Sequence, residues 1–119
     1  MESNAAQTVW HNETWNGETV VLAGDIGGTN TNLALVTVAE GKFQILVEMV
    51  FPSQEIECVV PAIRSLIETA RTRFPDIYPS RAGISGAGPI SSNVCNLSNL
   101  DWKLDGDQIE QAYGIPCFI

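Results

Sequence analysis

The chain has 119 residues, 45 % apolar and 17 % charged, the balance of one compact globular domain with little stability to spare. Fourteen acidic residues against six basic ones give a net charge of −8, which lacks the basic footprint of a nucleic-acid binder. No apolar run approaches the roughly 18 to 20 residues of a membrane span, and Met1–Gly17 lack the basic-then-apolar order of a targeting peptide, so a soluble cytoplasmic protein with no membrane partner is expected.

Residues 1–18 hold the only histidine, His11, and two of the three tryptophans without helical or alternating periodicity, and read as a polar tail, mobile or loosely docked. The β-branched, apolar run Thr19–Gly24 predicts a central strand buried on both faces. After the turn Asp25–Asn30, Thr31–Ala39 and Phe43–Phe51 read as two further strands, linked through Glu40-Gly41-Lys42 into an antiparallel meander.

From about Gln54 to Phe74, apolar residues recur at spacings of three and four (Ile56, Val59, Val60, Ile63, Leu66, Ile67, Ala70) and predict an amphipathic helix. Pro61 falls inside this pattern and should kink it unless the helix begins close by. Arg81–Ser85 predicts a fourth strand reached by a helical crossover, followed by a Gly86–Pro89 loop. Ile90–Leu104 reads as a hairpin-like excursion with Val94 and Leu97 facing inward. Asp105, with Gln108 three positions on, matches a capping box for a short helix that ends at Gly114, and Ile115–Ile119 opens a fifth strand. Cys58, Cys95 and Cys117 lie far apart without a Cys-x-x-Cys, as expected of reduced thiols filling small apolar sites.

Chemistry concentrates in Gly24-Asp25-Ile26-Gly27-Gly28-Thr29-Asn30, where a carboxylate and glycines meet at a turn after a buried strand. Glycines let a backbone approach a phosphate closely and take positive φ, and successive N–H groups in such a turn form a concave anion site to which Thr29 adds a hydroxyl. A carboxylate beside phosphates implies an intervening divalent cation, usually magnesium, or its bound water. The same residues also suit an ordinary Gly-Gly hairpin turn with a solvated aspartate.

The segment Leu22–Asn30, followed by Leu33-Ala-Leu-Val36, resembles the first phosphate motif of the glucokinases, within the hexokinase, actin and Hsp70-like ATPase superfamily. The order of predicted elements over residues 19–119 agrees with the amino-terminal domain of those kinases. The resemblance implies an α/β fold of the actin-like (ribonuclease H-like) ATPase kind, with three antiparallel and two parallel strands in a mixed sheet and helices on its faces. It implies ATP phosphates on Gly24, Asp25, Ile26, Gly27, Gly28 and Thr29, with Mg²⁺ held by Asp25 through water. It also implies glucose or a similar hexose as partner and allows a homodimer. Ser85–Pro89 and Leu97–Trp102 are similar to the segments lining the sugar cleft, which places Gly88, Pro89 and Asn99 on the sugar side and Trp102 beside them. The same segment also suits a structural hairpin with Trp102 packing as an amphipathic rim residue.

In that family the fifth strand runs into an Asn-Asp pair whose aspartate takes the sugar proton. No such residue falls within 1–119, nor do the sugar-binding Glu and His, the second phosphate loop or the adenosine pocket. The chain is therefore expected to be an amino-terminal fragment, inactive alone, with an exposed apolar edge along Ile115–Ile119 that favours association. A truncated non-catalytic product, or a sugar- or nucleotide-binding module of the same fold, is the alternative. Other enzyme readings fail on residues: Gly86-x-Gly88 lacks the third glycine of a dinucleotide fingerprint, Gly83-Ile-Ser85 lacks a partner histidine, and no P-loop is present.

Overall fold

The structure, a computed structural model, describes residues 6–119. A six-stranded mixed sheet has the order β1-β4-β3-β2-β5-β9, built from β1 (Gln7–Trp10), β2 (Thr19–Ile26), β3 (Asn30–Ala39), β4 (Lys42–Pro52), β5 (Ala82–Gly86) and β9 (Cys117–Phe118). The pairs among β1, β4, β3 and β2 are antiparallel, while β5 runs parallel to both β2 and β9. A second, antiparallel sheet contains β6 (Ile90–Ser91), β7 (Val94–Asn96) and β8 (Lys103–Asp105).

The expected meander and the two parallel strands are present, but the main sheet has one strand more than expected. Residues 7–10, expected in a loose tail, pair antiparallel with β4 from Gln7↔Val50 to Trp10↔Val47. Trp10 and Trp15 pack against Phe74 at ring-centroid distances of 6.2 and 6.1 Å, and the Arg73 guanidinium sits 4.0 Å over the Trp10 ring. This strand hides from a periodicity reading because three of its four residues are exposed. Met1–Ala5, the start of the expected tail, lie outside the described residues.

The sheet is two-faced, so β2 is buried on one face and not on both as expected. Leu22, Ile26, Leu33, Leu35, Val47, Met49 and Ile84 are buried, whereas the alternating Val21, Ala23, Asp25, Asn32, Ala34 and Glu48 are half-buried or exposed. Helices α1 (Val59–Arg71) and α2 (Gly106–Tyr113) touch each other and share one core with the buried set. Among the described residues the helices thus cover one face of the sheet, not both as expected.

Helix α1 is shorter than its periodic stretch. Ser53–Glu55 form a 3₁₀ turn, and the α-helix starts at Val59, so Pro61 occupies its third position. The first N–H groups of a helix have no intrahelical partner, and proline loses nothing there. Two hairpins turn on pairs with positive φ: Glu40 (54°) with Gly41 (76°), and Ser92 (53°) with Asn93 (63°). Between β3 and β4 the register shifts at Leu35/Val36, so that Leu46 and Val47 are both fully buried and the Leu46 carbonyl can accept from the His11 and Asn12 amides. Just past β7, Leu97 is buried as expected, but Cys95 rather than the half-buried Val94 is the inward residue of β7 itself. At the fifth strand Ile115 and Cys117 are buried, and of the expected apolar edge only Phe118 stands out, at 62 % exposure.

Truncating Trp10 to alanine removes an edge-on aromatic contact and a cation–π contact, which together contribute about 1–2 kcal/mol. Urea unfolding of Trp10→Ala should show that loss, with faster hydrogen exchange at the β4 amides facing β1; unchanged values would mean that β1 is not anchored through this ring.

Candidate phosphate-binding turn and cleft wall

The motif divides between strand and turn. Gly24, Asp25 and Ile26 are the last three residues of β2, paired with Leu33, Asn32 and Thr31 of β3, and only Gly27–Thr29 form the turn. Gly24 faces inward: a Cβ there would lie 2.9 Å from Leu33 Cδ2 and 3.1 Å from Ile84 Cγ2, so packing demands the glycine. Ile26 is buried and anchors the strand end. Gly27 and Gly28 do not adopt the positive φ that the sequence suggests. Their usefulness lies in the missing side chains.

What shapes the turn is Ser53, fully buried directly after β4. Its N–H donates to Thr29 O at 2.9 Å, its hydroxyl donates to Gly27 O at 2.6 Å, and the same hydroxyl lies 2.8 Å from the buried Thr31 Oγ1. Gly27 N–H donates to Asn30 O at 2.9 Å. The inward carbonyls are thereby satisfied, while among the described residues the N–H groups of Gly28 and Thr29 meet no protein acceptor. Two successive unpaired amides in a turn are free to face an anion.

Asp25 is exposed at the end of β2, and its Oδ1 accepts from Ser85 Oγ at 2.9 Å across the parallel β2–β5 pair. Among the described residues no group of three or more His, Cys, Asp or Glu side chains converges as a metal cage. A lone, oriented, exposed carboxylate suits a hydrated magnesium ion that takes its other ligands from water and phosphate.

The segments expected at the sugar side converge on the same turn. Ala87 N–H donates to Ile26 O at 3.3 Å and Ser98 N–H to Ala87 O at 2.9 Å, which stitches the Gly86–Pro89 loop between the β2 end and the Leu97–Trp102 segment. A Cβ on Gly88 would overlap the Asn96 carbonyl, so this glycine serves close backbone packing, and Pro89 O accepts from Asn96 N at 3.0 Å. Asn99 is exposed and lies over the turn: a Cβ on Gly28 would be 3.4 Å from both Cβ and Nδ2 of Asn99. Gln54 Nε2 holds the Asn99 carbonyl at 3.0 Å. Beside it a depression of about 230 Å³ is lined by Ser53, Gln54, Glu57, Leu100, Asp101 and Trp102. The half-buried Trp102 places its indole Nε1 out of solvent with no partner among the described residues. Asp105, as expected, caps α2 by accepting from Asp107 N at 3.0 Å and Gln108 N at 3.3 Å, and Gly114 ends that helix with φ 70°.

Sequence reasoning missed Ser53 and Thr31, and it placed Ser85 on the sugar side without its bond to Asp25. Only Pro52-Ser53 at the strand end offered a signal, and it read as punctuation. Below the site, burial raises the Cys117 thiol from its ordinary 9.0 to about 11, with Glu110 adding to the effect, and burial raises Tyr113 as well.

Ser53→Ala strands the Gly27 carbonyl and the Thr31 hydroxyl and should cost about 1–3 kcal/mol, measurable by chemical denaturation. A cost below about 0.5 kcal/mol would deny Ser53 its bracing role. Since the folded state holds the Cys117 proton to a higher pH than the unfolded state, its stability contribution is complete below pH 9.0 and is lost as pH rises to about 11. The unfolding free energy should fall across that window, and Cys117→Ala should flatten the part of the decline not due to Tyr113.

A family model described as Glucokinase matches residues 22–118. Among curated relatives, the glucokinase of Nostoc punctiforme is 35 % identical over 99 residues, and that of Synechocystis is 38 % identical over 100 residues. The matches cover 82 % and 79 % of this chain, which spans 28 % of the length of each relative. Among solved structures, a glucokinase from an Antarctic psychrotroph superposes with a TM-score of 0.70 at 32 % identity, covering 83 % of this chain and 30 % of that one. A Balamuthia mandrillaris glucokinase in complex with glucose gives 0.60 at 25 % identity, covering 82 % and 27 %. The family model covers most of the chain and the relatives match the same stretch, so the chain belongs to the glucokinase family.

Proposed function

We propose that this chain supplies the phosphate-binding turn and one wall of the sugar cleft of an ATP-dependent glucokinase, with an actin-like ATPase domain over residues 19–119 and β1 added at its edge. The observation that carries this reading is the pair of unpartnered amides at Gly28 and Thr29 beside the oriented carboxylate of Asp25, with Asn99 lying over the turn. ATP phosphates would rest on Gly27–Thr29, with Gly24 and Ile26 acting through the strand that holds the turn.

The reaction forms a bond between the 6-hydroxyl oxygen of glucose and the γ-phosphorus and breaks the bond from that phosphorus to the bridging oxygen, releasing ADP. The sugar proton passes to a general base, which in this reading lies beyond Ile119. A magnesium ion bound through water to Asp25 would neutralise charge on the phosphates. The residues in hand do the rest of the positioning: the turn amides face the phosphate oxygens, Ser85 orients Asp25, and Gly88, Pro89 and Asn99 border the acceptor. The 119 residues alone are proposed to be inactive, and the working site of the whole kinase to be the cytoplasm.

The test is a coupled assay of glucose 6-phosphate formation with Mg-ATP, run on residues 1–119 beside the same residues continued into the remaining length of a glucokinase such as that of Nostoc punctiforme. Activity only in the longer chain is expected; activity in neither would favour a non-catalytic binding module. In the active chain Asp25→Ala should lower kcat by about a hundredfold or more, while stability shifts by less than about 1 kcal/mol because the side chain is exposed. An unchanged kcat would remove Asp25 from the site.

A further inference from the structure

Among the described residues, strand β9 pairs with β5 on one side only, through Ala82↔Cys117 and Gly83↔Phe118. Its opposite edge is closed by side chains. Glu110 Oε2 accepts from Cys117 N at 2.9 Å, Asn93 Nδ2 donates to Cys117 O at 2.8 Å, and Asn93 Oδ1 accepts from Ile119 N at 2.8 Å. A carbonyl and an N–H two residues apart are the groups a neighbouring parallel strand would bond. The Asn93 amide stands in for that strand, with its donor and acceptor both used.

The clamp is itself held from behind. Asn93 takes the second position of the two-residue link between β6 and β7 with φ 63°, in the left-handed region that asparagine tolerates better than most residues. Its carbonyl accepts from Gly106 N at 2.9 Å, and a Cβ on Gly106 would overlap the Asn93 amide, so the first residue of α2 must be glycine. The small sheet, the start of α2 and the end of β9 therefore meet on one side chain far from the phosphate turn in sequence.

We propose that Asn93 is a positioning residue: by fixing β9 at Cys117 and Ile119 it sets the direction in which the chain leaves the sheet. Resting on the kinase reading above, this fixes the placement of the general base relative to the Gly27–Thr29 turn. Asn93 touches neither sugar nor nucleotide in this role, and Glu110 alone cannot replace it, because Glu110 holds only the Cys117 N–H.

The cleanest variant is Asn93→Gly, which accepts the positive φ without strain and deletes only the side chain. In residues 1–119, NMR hydrogen exchange should show the Ile119 amide exchanging at least about tenfold faster in the variant, the loss of one hydrogen bond of ordinary strength. In the active longer chain, kcat should fall roughly tenfold to a hundredfold, since small misplacement of a reacting group has that effect. KM for glucose and for ATP should stay within about twofold, the pattern of a group felt in the transition state alone. Asn93→Asp, which keeps the acceptor for Ile119 but sets a carboxylate oxygen against the Cys117 carbonyl, should lose kcat as well. An Ile119 amide as protected in Asn93→Gly as in the wild type would overturn the clamp. An unchanged kcat, or a KM rise that accounts for the whole loss, would overturn the positioning role. A longer wild-type chain without glucose phosphorylation would overturn the kinase reading and the catalytic half of this proposal, leaving the Ile119 exchange to decide the clamp alone.

Discussion

The arrangement of the candidate site rests on one buried hydroxyl. A turn that leaves amides unpaired for a ligand must have its carbonyls satisfied from the other side, or the backbone would rotate to pair them internally. Ser53 does this from beneath, reaching Gly27 and Thr29 from the end of β4 while Thr31 shares its hydroxyl. The long β3–β4 hairpin matters for the same reason: its register decides that residue 53, and not a neighbour, arrives under the turn. The pair of unpartnered amides at Gly28 and Thr29 is a by-product of how strand ends are tied together.

The two faces of the sheet divide the labour. One carries the large aliphatic side chains that α1 and α2 seal, and that burial is the dominant favourable contribution to stability. The other carries Ala23, Asp25, Asn32, Ala34 and Glu48, small or polar and half open. Asp25 can be presented at a strand end because its neighbours on that face are too small to bury it, and Gly24 beside it faces the core instead. Alternation along β2 thus sorts core from chemistry one residue at a time.

Much of this was legible in the residues. The Glu40-Gly41 hairpin, the Asp105 cap and the Gly114 stop follow from short-range rules of turn φ and capping and stand where those rules put them, and β-branching finds β2, although that strand runs on to Ile26 and buries one face instead of two. β1 was not legible, because an edge strand with three exposed residues has no alternation to read. Nor was the start of α1, where apolar residues at helical spacing run through a 3₁₀ turn that serves the site. Ser53 and Asn93 escaped notice for a common reason: each acts on residues about 26 positions away, and spacing along the chain holds no record of contacts made by folding back.

The aromatic lock on β1 also bears on the order of events during synthesis. β1 is made before both its partner β4, which begins at Lys42, and Phe74, the ring that Trp10 and Trp15 grip. Until β4 and then Phe74 have left the ribosome, β1 lacks its full docking site, and the outer edge of β4 stays open to other strands. The earliest-made residues of the described chain are thus among the later ones to settle, closing the sheet from outside once the hairpin and helix beneath them are in place.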